Sequence, residues 1–116
     1  MYTHPYGSHR YSSFASEFIG NCSHDPAPWF LYVPFSHIHT PQYVAPRNAG
    51  KSGKSGNAGH FYDTLMEMDE TVGAIMAALT AQPSVDAETL VWLSGDNGPW
   101  ECKCDLTGGW VRSVSI

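Results

Sequence analysis

Leu90-Val91-Trp92-Leu93-Ser94-Gly95-Asp96-Asn97-Gly98-Pro99-Trp100 is an apolar run that stops at a serine-glycine pair, with a carboxylate and a carboxamide side by side beyond it. Apolar residues in unbroken succession suit a parallel strand covered on both faces, because such a strand has no solvent side to alternate toward. Gly95, Gly98 and Pro99 then force a turn. Asp96 and Asn97 are thereby placed on a loop at a strand's carboxyl end, the edge at which open α/β sheets bind ligands. Toward a cation the two side chains offer only oxygens, which suits Ca²⁺, with Mg²⁺ second, better than zinc or copper. Taken alone, Asp-Asn-Gly-Pro also reads as an ordinary turn in which each residue tolerates the required φ/ψ. A second segment, earlier in the chain, decides between the two.

That segment is Trp29-Phe30-Leu31-Tyr32-Val33, aromatic and β-branched, which reads as another buried strand. Pro34 closes it, since proline cannot donate to a central ladder. The loop that follows, Pro34-Phe35-Ser36-His37-Ile38-His39-Thr40-Pro41, carries two titratable imidazoles. Residues 42–59 read as a polar, solvated linker. Its Gly50-Lys51-Ser52-Gly53-Lys54-Ser55-Gly56 stretch resembles a phosphate-binding loop but fails the pattern, because positions 48 and 45 are asparagine and alanine where glycine is required. From about His60 to Ala81 the period lengthens. Phe61, Leu65, Met68, Val72, Ile75, Met76 and Leu79 recur at steps of three and four, the apolar stripe of an amphipathic helix. Asp63, Glu67, Asp69 and Glu70 load what this register makes its early turns, favourably placed for the helix dipole, with Glu67 and Asp69 expected on a solvated face. Pro83 ends the helix.

Strand, loop, helix and strand in that order form a βαβ unit with parallel strands and a right-handed crossover. Parallel strands bring their carboxyl ends to one edge. The loop of His37 and His39 and the loop of Asp96 and Asn97 are therefore expected to face one crevice.

Composition narrows the partners. A net charge of −5 with six basic residues argues against nucleic acid, since few cations are available for a phosphate track. No run reaches the apolar length of a membrane span, and Met1-Tyr2-Thr3-His4-Pro5 has neither the basic flank nor the apolar core of a signal peptide. Residues 1–28 show little periodicity; Phe14, Phe18 and Ile19 suggest one short helix after Ser12 or Ser13, with His4, His9 and His24 as exposed side chains. Cys22, Cys102 and Cys104 make an odd count from which no disulfide framework follows. Asn21-Cys22-Ser23 matches the N-glycosylation sequon, which matters only in a secreted protein.

Four pieces, in order, resemble the sulfatase family, specifically its arylsulfatase A/G-like branch. They are Phe30-Leu31-Tyr32-Val33 with Ser36-His37-Ile38-His39-Thr40-Pro41-Gln42-Tyr43; Tyr62-Asp63-Thr64-Leu65-Met66-Glu67-Met68-Asp69 with Val72-Gly73; Glu88-Thr89-Leu90-Val91 with Ser94-Gly95-Asp96-Asn97-Gly98-Pro99-Trp100; and Lys103-Cys104-Asp105-Leu106, similar to the continuation in arylsulfatase G. The likeness spans roughly residues 28–108 and leaves 1–27 and 109–116 unassigned. It implies an alkaline-phosphatase-like α/β fold, of which this chain holds a partial βαβ portion, and a lysosomal or secretory glycoprotein acting on a small-molecule or glycan sulfate ester. It implies Asp96 and Asn97 as calcium ligands, and His39 as the active-site histidine that hydrogen-bonds the sulfate ester. His37 is the weaker candidate, suited equally to packing. The physics agrees: a bound cation withdraws charge from sulfate oxygens, and a histidine near neutral pKa can donate a proton.

The family's nucleophile, a cysteine oxidised to formylglycine within Cys-x-Pro/Ala-Ser-x-Arg, has no counterpart among these 116 residues. The expectation is therefore an internal fragment of a sulfatase catalytic domain, without turnover on its own. The alternatives are a non-catalytic truncated product and a phosphoester hydrolase of the same fold.

Overall fold

A computed structural model describes residues 7–25 and 27–96 of the chain. Asn97, Cys102, Cys104 and His4 lie outside the described residues, as does the whole segment after Asp96. The described part contains three helices: α1 (Gly7–Cys22), α2 (Gly56–Thr80) and the single turn α3 (Pro83–Asp86).

Helix α1 is longer than Phe14, Phe18 and Ile19 suggest. It buries Ala15 and Ile19, four residues apart on one face, and leaves Phe14 exposed. Its end is closed locally, because the Ser23 N–H donates to Ile19 O at 3.0 Å and the Ser23 hydroxyl to Gly20 O at 2.7 Å. The buried face packs against α2. Two edge-to-face ring pairs, Phe18 with Trp29 and Tyr11 with Phe35, each 5.7 Å between centroids, dock residues 29–35 alongside α1. The later helix residue meets the earlier segment residue, so the two run antiparallel.

Helix α2 has the expected end and an earlier start. It terminates at Thr80, where the Ala81 N–H still reaches Ala77 O, and Pro83 opens α3 instead of extending it. It begins at Gly56 behind Ser55, whose backbone is extended. This shift removes the dipole argument for the carboxylates. Asp63, Glu67, Asp69 and Glu70 all lie beyond the first turn, where the helix field has decayed.

The larger correction concerns which face is buried. On α2 the buried residues are Gly59, Asp63, Thr64, Glu67, Thr71 and Leu79. Phe61, Leu65, Met68, Val72, Ile75 and Met76, the expected apolar stripe, are only half-buried. Glu67, expected in solvent, is 1% exposed. Thr64 and Thr71 fold their hydroxyls back onto His60 O and Glu67 O, four residues earlier, and so carry their own partners into the interior.

The two expected strands do not form among the described residues. Residues 29–33 and 90–93 carry no ladder; 90–93 stand in solvent, Leu90 at 87% and Trp92 at 82% exposed, while in 29–33 Phe30 and Tyr32 are exposed and Trp29, Leu31 and Val33 half-buried. The reason is that a parallel strand needs neighbours to take its N–H and C=O groups and layers to cover both faces, and the described part supplies neither.

Candidate functional site

The polar stripe of α2 is roofed by residues 42–55. That segment, read from sequence as a solvated linker, buries Ala45 and Asn48 completely or nearly so. Loops are covered only when their backbone groups find partners, and here the helix carboxylates supply them. Asp63 accepts the Gly50 N–H at 2.6 Å on one oxygen and the Ser52 N–H at 2.8 Å on the other. Glu67 accepts the Ala45 N–H at 2.7 Å. Glu70 accepts the Asn48 amide at 2.9 Å and lies 3.4 Å from Lys51 and 3.5 Å from Arg47. At the helix start Lys54 Nζ stands 5.9 Å from the centre of the Tyr62 ring. Lower down, His60 Nε2–H donates to Gln42 O at 2.7 Å.

These bonds shift the carboxyl groups. Hydrogen bonding from Ser52, through its side chain first and its N–H next, and then from the Gly50 N–H, holds Asp63 below the usual carboxylate range; burial opposes the effect and His60 assists it. The Asn48 amide does the same for Glu70, against the cost of burial, with Lys51 and then Arg47 adding attraction. Both groups are therefore fixed acceptors that stay ionised to acidic pH.

Gly59 lets the loop close. A Cβ at Gly59 would lie 2.5 Å from Lys54 O and 2.8 Å from Lys54 C, so the loop crosses the helix where only a hydrogen fits. Gly50, Gly53 and Gly56 take positive φ values of 80°, 66° and 62°, which turn the chain back onto the helix.

The histidine loop sits at the upstream edge of this roof. His39 is exposed; its N–H donates to Ser36 O at 3.1 Å, a tight turn, and its Nδ1 meets the carbonyl of Thr40. His37 turns inward instead. Its side chain is 10% exposed and its Nε2 lies 3.5 Å from Glu67 Oε1, a close approach without hydrogen-bond geometry. The two histidines expected on one loop thus face different surroundings, His39 the solvent and His37 the buried stripe. Asp96 is exposed at the end of the 90–93 run. Cys22 is a free thiol. No helix among the described residues is long and apolar enough to cross a membrane.

Comparison with known proteins supplies what these residues alone do not. The sulfatase family model matches residues 2–105. The chain belongs to the sulfatase family. Its match takes in α1, which the residue-by-residue likeness leaves unassigned. Bovine (Bos taurus) arylsulfatase A is 40% identical over 90 residues, 78% of this chain and 17% of that protein. Homo sapiens arylsulfatase G is 38% identical over 100 residues, 85% of this chain and 18% of that protein. An N-acetylgalactosamine-6-O-sulfatase of Bacteroides thetaiotaomicron is 40% identical over 77 residues, 66% of this chain and 14% of that protein. The chain thus spans less than a fifth of the length of these curated relatives. No solved structure matches it significantly. The chain is an arylsulfatase A/G-like member of this family, which implies an alkaline-phosphatase-like fold.

In this sulfatase chain the sequence reasoning missed Asp63, Glu67 and Asn48 as organisers of the site. The signal was present. Gly59, Asp63 and Glu67 stand four apart, Glu70 and Thr71 continue the same face, and the preceding loop is rich in glycines whose N–H groups need acceptors.

Proposed function

We propose that this chain contributes the histidine and cation side of an arylsulfatase active site that hydrolyses a small-molecule or glycan sulfate ester. The family match over residues 2–105 carries the reading. His39 is the group that hydrogen-bonds the sulfate ester, presented to solvent by the tight turn from Ser36. Asp96 and Asn97 are the calcium ligands; their donor set is hard oxygen only, and Asp96 is exposed at the end of its run, free to take a cation. Calcium, when bound, draws charge from the sulfate oxygens. Residues 29–33 and 90–93 are parallel strands of the complete sheet, which brings the two loops to a common edge. The formylglycine nucleophile is supplied from sequence outside these 116 residues, and the chain alone does not turn over. A lysosomal or secretory location, with glycosylation at Asn21, accords with arylsulfatase relatives.

The test is a chimera in which residues 2–105 replace the matching segment of human arylsulfatase G. Calcium-dependent hydrolysis of a chromogenic aryl sulfate is expected. His39→Ala should lower kcat about 10²–10⁴-fold, and Asp96→Ala should abolish the response to calcium. A chimera that prefers an aryl phosphate, or is indifferent to both substitutions, overturns the reading.

A further inference from the structure

We propose that Glu67 is the positioning residue of the histidine loop, an inference that rests on the reading of His39 as the substrate-binding group. Glu67 projects from α2 into the interior, 1% exposed, and its two oxygens serve two different points of one segment. Oε2 takes the Ala45 N–H at 2.7 Å, and Oε1 faces His37 Nε2 at 3.5 Å. These points bracket His39, one on each side along the chain.

Burying a carboxyl group is costly, and an aliphatic side chain of the same size would fill the space more cheaply. What an aliphatic chain lacks is direction. A loop held at one point can swivel about it; held at two, on either side of the exposed imidazole, it has one orientation. A histidine that must meet a substrate atom needs placement to within about 0.5 Å, which an untethered surface loop does not give. His37 fits the role of the inner anchor. Its ring is largely buried, its Nε2 has no hydrogen-bond partner, and the nearest acidic oxygen is that of Glu67.

The experiment uses the isotope-labelled chain and reads histidine ring nitrogens and amide exchange by NMR. In the wild type, the Ala45 amide should exchange at least about tenfold slower than it does once its acceptor is removed, and the His37 ring should show Overhauser contacts to the Glu67 methylenes. Glu67→Gln keeps the size and an acceptor for Ala45 but changes what faces His37. It should move the His37 ring nitrogens and broaden the His39 ring signals. Leu79→Met, buried on the same helix but about three turns away from Glu67, should change neither. If Glu67→Gln does not fold, His37→Gln approaches from the other side: Ala45 should stay protected while the His39 ring signals broaden. A rapidly exchanging wild-type Ala45 amide, or Leu79→Met shifting the rings as Glu67→Gln does, overturns the proposal. Inorganic sulfate added to the wild type separates the two readings: a still His39 ring counts against the substrate role, while the tether is judged by the His37 and Ala45 signals alone.

Discussion

Gly59→Ala should destabilise the chain although the same exchange in an open helix does the opposite. Within a helix, alanine is favoured over glycine by about 0.5–1 kcal/mol, because glycine loses more backbone freedom on folding. At Gly59 the new Cβ would stand 2.5 Å from Lys54 O, roughly 1 Å inside an ordinary carbon–oxygen contact of about 3.3–3.6 Å. Relief requires moving backbone. The Lys54 segment is held by the Ser52 N–H on Asp63 and by the Ser52 hydroxyl, 3.3 Å from Gly59 O. Overpacking at such a point costs about 1–3 kcal/mol. Set against the propensity gain, the net loss is about 1 kcal/mol at mid-range and at most about 2.5 kcal/mol, a mid-range fall in Tm of roughly 4–8 °C for a chain of this size.

Gly73 in the same helix is the internal control, exposed and with open space where its Cβ would stand, nothing lying within 4 Å. Gly73→Ala should raise Tm by a few degrees, following propensity alone. The assay is thermal unfolding followed by the helical circular dichroism signal. A Gly59→Ala chain as stable as Gly73→Ala would refute the close crossing of loop and helix. Loss of stability in both would instead point to a helix that is frayed around residue 73.

Acid should loosen the roof. Asp63 and Glu70 titrate below their usual range when folded, so the unfolded chain takes up protons first as pH falls. Their contribution is complete above the ordinary carboxylate pKa and is lost as pH drops through the lowered folded values. Asp63→Asn should be less stable than wild type at neutral pH, with the gap closing in acid; a gap independent of pH, read by urea unfolding across that range, would show that the Gly50 and Ser52 bonds do not favour the charged form. Salt should weaken the half-exposed Glu70 contacts with Lys51 and Arg47 and leave the buried Ala45–Glu67 bond unaffected, a difference visible in amide exchange at Lys51 and Ala45. Trp92→Lys should reduce self-association of the chain in sedimentation, since Leu90, Trp92 and Leu93 form an exposed apolar run.

Different parts of the molecule were legible to different degrees. Helix α2 was readable because three-and-four spacing over some twenty residues has no good alternative, and its end at Pro83 follows from proline's missing N–H. Its start was not, since Gly56, Asn57, Ala58 and Gly59 carry little helix preference and the helix is extended there by the loop lying across it. Phe14 misled because a large aromatic outweighs Ala15 in any hydrophobic count, while only the small residue fits against α2. Glu67 misled for the converse reason: burial of a carboxyl group depends on partners more than twenty residues away in the chain, which local pattern cannot reveal. At the histidine loop, His37 turns inward toward α2 and His39 is exposed, a difference set by contacts across the fold that the local sequence does not carry.

Two mismatches in this chain have one resolution. The apolar side of α2, Leu65, Met68, Val72, Ile75 and Met76, is half-buried, although its spacing is that of a helix seated on a sheet. The apolar run at 90–93 is exposed, that at 29–33 only half-covered, and neither forms a ladder, although their composition is that of strands covered by helices. Each is short of the kind of partner the other represents. The polar side of α2 has no such shortage, because its carboxylates and threonines are matched by the 42–55 loop and by their own backbone. A helix satisfied on one side by a loop and left with apolar surface on the other is compatible with the crossover expected of a βαβ unit, whose strands do not form among the described residues. This complementarity supports the proposed reading of both runs as strands. The structure itself distinguishes two segments: Glu67 of α2 accepts the Ala45 N–H beside the histidine loop, whereas Asp96 stands exposed at the end of an unladdered run.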